Sequence, residues 1–132
     1  LHLSLRRQRQ MCIRDRLIYH AFGLKKTLHR AVDTLNQTID SVEIGIKLGF
    51  DTILSSGGQK TALEGLSVLS EMQTRAAGKI RIMPGSGVNS ISAKLILNQC
   101  HFDWIHSSCS IQKNDKKMTD LQSIKNLKNA LI

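Results

Sequence analysis

Four short apolar runs, each ending in small or polar residues and each followed by a helix-like pattern, recur at residues 25–30, 52–56, 80–84 and 103–107. His29 to Ser56 spans 27 residues, Ser56 to Pro84 spans 28 and Pro84 to Ser107 spans 23. Extended run, helix, extended run at a nearly constant period is the signature of consecutive right-handed βα units on a parallel sheet. Between the runs, Leu35, Ile39, Val42 and Ile46 fall at i, i+4, i+7 and i+11 and predict one helix closed by Gly49. Thr61-Ala62-Leu63-Glu64 has the form of a capping box, and Leu66, Leu69 and Met72 carry its stripe on towards Gly78. Asn89 or Ser90 can cap a helix through Ile91, Leu95 and Ile96, and Leu121, Ile124, Leu127 and Leu131 mark a last one. These stripes are core faces and need no cofactor. Four units fit either a doubly wound sheet of four or five strands or half of a (β/α)8 barrel, in which a unit averages about 30 residues.

Composition narrows the function classes. The chain has 132 residues and a formal charge of +9, but five Arg against Asp15 lie in residues 1–16 and five Lys against two Asp in residues 113–132. The basicity therefore belongs to the ends, and one Trp, one Tyr and three Phe are too few to interleave with the cations as single-strand binders require. This pattern argues against nucleic acid as a partner. No run reaches the roughly 18 apolar residues of a membrane helix. Cys12, Cys100 and Cys109 are odd in number and lack zinc or redox spacing, which makes a reducing cytoplasm the default compartment. Residues 1–16 show no sustained period and no signal-peptide core, and Gln10 to Arg16 resembles translated adapter read-through. They are read as a non-native or disordered basic tail, with the domain at residues 17–132.

In either parallel α/β arrangement ligands bind beyond the carboxyl ends of the strands, so the residues after each run are the candidates. His29 and His106 could act as general acid or base, with Arg30 steadying negative charge. Gly85-Ser86-Gly87 leads from a run into a helix start, where exposed amides favour an anion, and Ser56-Gly57 is a second glycine loop of this kind. Gly85-Ser86-Gly87 is not a full dinucleotide fingerprint, because Ser90 stands at the third glycine position. Cys109 offers a soft thiolate for Cu(I), although His106 and Cys109 alone do not complete a site. Cys100-His101 reads as a surface turn and residues 113–117 as a solvated loop.

Several of these stretches carry a resemblance. Thr27-Leu28-His29-Arg30-Ala31-Val32-Asp33 is similar to the TFHRAFD stretch of the CutC copper homeostasis proteins, and Leu48 to Gly58 is similar to their LGFDRVLTSGG. Ala62-Leu63-Glu64-Gly65-Leu66 matches ALEGL, Ile82 to Val88 resembles IMPGGGV, and Phe102 with Ile105-His106-Ser107-Ser108 resembles EFHxS. The resemblance spans about residues 17–109. It implies the C-terminal half of a TIM (β/α)8 barrel, strands five to eight, with the N-terminal half of the barrel as a missing partner and a homo-oligomer as a further possibility. It also implies a copper homeostasis protein with copper as its ligand, although the cysteines proposed as copper ligands in the family lie in the half this chain lacks. The alternative is a TIM-barrel enzyme acting on a small phosphorylated or carboxylated metabolite, its anion held at the glycine loops. Ser86 for a family glycine, Leu28 and Val32 for aromatic residues, and Trp104-Ile105 for Glu-Phe are the departures.

Overall fold

A computed structural model describes residues 15–132. After a helical segment over residues 15–20, the chain enters β1 (Thr27–Leu28), and two parallel strands follow it, β2 (Thr52–Ser55) and β3 (Arg81–Pro84). They lie in the order β1-β2-β3, with Leu28 opposite Ile53 and Ile53 opposite Ile82. The helices are α1 (Ser41–Lys47), α2 (Leu66–Ala76), α3 (Ser90–Gln99) and α4 (Leu121–Ala130). Parallel strands joined by helices establish the expected α/β class.

The core lies between the sheet and α1, α2 and α3, while α4 buries no residue and meets the core through the partly buried Leu127. Ile53, Ile82, Leu69, Met72 and Ile96 are fully buried, each side chain stabilising by about 1.5–3 kcal/mol relative to exposure. Gly45 lets α1 approach closely, since a Cβ there would come within 2.8 Å of Ile80 Cδ1 and 3.1 Å of Ile53 Cδ1. Leu66, Leu69 and Met72 are buried on α2, as their spacing predicts.

Four features differ from expectation. The last two stripes are not core faces, because Ile91, Leu95, Leu121, Ile124 and Leu131 are exposed and, of the two stripes, only Ile96 is buried. The stripe from Leu35 to Ile46 is not one helix: 3-10 turns over Arg30–Thr34 and Thr38–Asp40 precede the short α1. Leu35 leaves the first turn in an extended conformation (ψ 146°) and ends that turn. The fourth extended run forms only a single parallel bridge, Gly85 to His106, through the His106 amide and the Pro84 carbonyl at 2.8 Å. The lysine-rich stretch is an antiparallel hairpin of β4 (Ser110–Lys113) and β5 (Lys116–Thr119). Its two-residue turn, Asn114-Asp115, has φ of +49° and +58°, the left-handed pair that matches strand twist in tight hairpins. Asn and Asp tolerate that region better than other side chains.

Candidate functional site

The ends of the strands converge on one rim, and the loop after β2 is its most highly bonded part. Asp33, on the first 3-10 turn, has a side chain 9% exposed and reaches across to that loop. It accepts hydrogen bonds from the Ser55 hydroxyl, from the Ser56 amide at 3.1 Å and from the Gly58 amide at 3.2 Å. The Gly57 amide donates to Ser55 Oγ at 2.9 Å. Arg30 completes the cluster, with Nε 3.0 Å from Asp33 Oδ2 and Nη2 donating to Ser56 Oγ at 3.0 Å. Burial works to raise the Asp33 pKa, but hydrogen bonds from Ser55, Ser56 and Arg30 together outweigh it and hold the carboxyl below its ordinary value.

This arrangement corrects the expectation for Ser56 and Gly57. The loop does cradle a carboxylate, but it is the chain's own Asp33, which takes the Ser56 amide, while the Gly57 amide is taken by Ser55 Oγ; neither amide is left for an external anion. Asp33 was not singled out from sequence. Its signal was an acid three residues after Arg30, paired with a Ser-Ser-Gly-Gly loop rich in donors 22 to 25 residues away.

Beside this cluster lies a cleft of about 490 Å³ whose lining includes Arg30, Ser86, Gly87, His106, Cys109 and Lys117. Five of the expected site residues are thus brought together, and Lys117 on β5 was not expected among them. His29, Gly85, Ser56 and Gly57 do not line it. His29 is exposed and caps its own turn, Nδ1 accepting from the Ala31 amide at 3.0 Å. The Gly85 amide belongs to the sheet, donating to the Ser55 carbonyl at 2.9 Å.

Ser86 holds the loop after β3 in shape. Its φ is +90°, a region that L residues rarely adopt and glycine adopts freely, so the position suits the glycine that Ser86 replaces. Its hydroxyl donates to the Lys60 carbonyl at 2.8 Å, and its own carbonyl accepts from the Ala62 amide at 3.0 Å. The following helix is closed by a capping box: the Asn89 side chain accepts from the Ile91 and Ser92 amides, both at 2.9 Å, and Ser92 Oγ accepts from the Asn89 amide. Two of the amides expected to favour an external anion are therefore already paired. The Gly87 amide has no hydrogen-bond partner among the described residues.

Cys109 sits at φ +44°, its amide donating to Ser107 Oγ at 3.1 Å, while Ser107 Oγ donates to the Val88 carbonyl at 2.6 Å. A thiol and an imidazole on one cleft suit Cu(I) in kind, but they fall short in number. Among the described residues no three His, Cys, Asp or Glu side chains come together to hold a metal ion. Cys12 lies outside the described residues. No helix among the described residues is long and apolar enough to cross a membrane.

Comparison with known proteins gives this rim a family. The CutC family model matches residues 6–111. A CutC family protein of Sinorhizobium medicae is 41% identical over 108 residues, covering 80% of this chain and 44% of the relative. A copper homeostasis protein cutC homolog of Caenorhabditis elegans is 35% identical over 89 residues, covering 67% of this chain and 36% of the relative. The crystal structure of the CutC protein of Streptococcus agalactiae superposes with a TM-score of 0.63 at 24% identity, over 69% of this chain and 45% of that one, and shows the shared fold. The chain spans less than half the length of these relatives. With the family model covering most of its residues, the chain belongs to the CutC family.

Proposed function

We propose that this chain forms the C-terminal half of a CutC-type copper homeostasis protein, with copper ion as its cargo. The observation that carries the reading is the family match, joined to a relative in Caenorhabditis elegans named for copper homeostasis. Cys109 and His106 supply donors suited to Cu(I), and the remaining ligands come from the N-terminal half of the barrel. The unpaired cysteine usage favours the cytoplasm, and open sheet edges favour association with that half or with a second copy. The test is copper tolerance in cells whose full-length gene is disrupted. Growth in raised copper should fall and return with the intact gene; unchanged tolerance overturns the reading.

A second reading, an enzyme acting on a small phosphorylated or carboxylated metabolite, is favoured by one observation. Arg30, Gly87 and His106 share a cleft with no Asp or Glu among its lining residues. In that reading Arg30 steadies the ligand's charge, Gly87 offers its amide and His106 moves the proton. His29, which caps its own turn through Nδ1 and does not line the cleft, is left out of this step. Turnover of small phosphorylated compounds by the intact protein, abolished by His106→Ala, would support it. Absence of turnover across phosphorylated and carboxylated substrates would defeat it.

A further inference from the structure

We infer that the cleft binds a phosphate dianion and that Lys117, supplied by the C-terminal hairpin, sets the preference for two negative charges over one.

The cations that line the cleft are Arg30 and Lys117, and no carboxylate lines it. They are held differently. Arg30 is fixed through Nε and Nη2 by Asp33 and Ser56, which leaves Nη1 without a partner among the described residues. A guanidinium fixed in this way loses little freedom when a ligand arrives and presents directed N–H groups to phosphoryl oxygens. Its charge, however, is matched by Asp33 3.0 Å away. Lys117 has no Asp or Glu within ion-pair distance among the described residues and so carries the cleft's unbalanced charge.

Neutral donors supplement the two cations. The Gly87 amide is available, and Asn126 on α4 accepts from Gln122 Nε2 through Oδ1, which leaves its own NH2 group as a donor at the cleft. The start of α3 contributes little, because Asn89 takes two of its amides. The site therefore rests on side chains from separated parts of the chain, and a helix end is not its basis. A monocarboxylate has two acceptor oxygens and one charge, whereas a phosphate dianion can engage Arg30, Lys117 and the neutral donors together. Lys117 lies beyond residue 111, where the family match ends.

The inference deepens the enzyme reading by naming its ligand class and rests on it only for the cleft. Binding is measured without turnover, so a chain that holds phosphate but converts nothing defeats that reading and leaves this one standing. The experiment is calorimetric titration of the full chain with inorganic phosphate at about pH 8, where the dianion predominates. Acetate serves as the monoanion. Saturable phosphate binding is expected, with acetate at least about tenfold weaker. Lys117→Gln should weaken phosphate about tenfold and Lys117→Arg should retain it. Lys113→Gln, on the same hairpin but not lining the cleft, should leave affinity unchanged. Circular dichroism checks that each variant keeps the parent's fold. No saturable binding by the folded chain, equal losses in Lys113→Gln and Lys117→Gln, or acetate binding as tightly as phosphate would each overturn the inference.

Discussion

Gly57 and Gly65 meet backbone to backbone: a Cβ on Gly57 would stand 2.9 Å from Gly65 Cα, and a Cβ on Gly65 would stand 2.9 Å from Gly57 Cα. Gly57 also has φ +70°. The loop after β2 and the turn before α2 can therefore close on each other only while both residues lack a side chain. Gly57→Ala and Gly65→Ala should each lower stability by about 2–3 kcal/mol, read as a shift in the urea midpoint. A midpoint within error of the parent would show that the backbone relaxes at little cost.

Asp33 makes stability depend on acid. Its folded pKa lies below the ordinary 3.8 because hydrogen bonds from Ser55, Ser56 and Arg30 outweigh the opposing effect of burial. A depressed carboxyl stabilises fully above its unfolded value and loses that contribution as pH falls through the folded value. Unfolding free energy should fall steeply below about pH 4 in the parent and less steeply in Asp33→Asn. At neutral pH the variant should be less stable by about 2 kcal/mol. Parallel pH profiles for the two proteins would remove Asp33 from this role.

Much of the fold was legible because it is local. The α2 stripe needed only the spacing of Leu66, Leu69 and Met72, and the strand ends followed from the repeat of apolar runs. The stripe from Leu35 failed for a physical reason. Leu35 is 42% exposed and extended, because the turn before it is a 3-10 element that brings Asp33 to the β2 loop. Side-chain spacing alone does not distinguish a broken helix from a continuous one. At the site, Arg30, Ser86, Gly87, His106 and Cys109 could be placed at the rim from strand ends alone. That the Ser56 amide is taken depends on Asp33, 23 residues away, and that the Gly57 amide is taken depends on a Ser55 hydroxyl oriented by the same Asp33, neither of which periodicity encodes.

Removal of residues 1–16 tests their reading as a foreign or disordered basic tail. Residues 1–14 lie outside the described residues, and the family match begins at residue 6. The shortened chain should keep the parent's thermal midpoint. A clear drop would assign part of the segment to the domain.

The sheet edge at β1 should make the isolated chain associate. β1 pairs with β2 on one side only among the described residues, and the preceding segment exposes Leu17, Tyr19, Leu24 and Phe22, the last at 92%. A few hundred Å² of wet apolar surface forfeits on the order of 5–10 kcal/mol at about 25 cal/mol per Å². Sedimentation should show oligomers that give way to a defined complex when the N-terminal half of the barrel is co-produced. A compact monomer with a cooperative thermal transition would contradict this.

Asp33 also acts as a built-in counter-ion. Because it neutralises Arg30 from within, Arg30 contributes direction without net charge, and long-range attraction for an anion falls to Lys117. Lys117 sits on the hairpin, on which, as on α4, no residue is fully buried. Steering thus comes from an element with no buried residue and orientation from a guanidinium tied to Asp33, so the two can be altered separately.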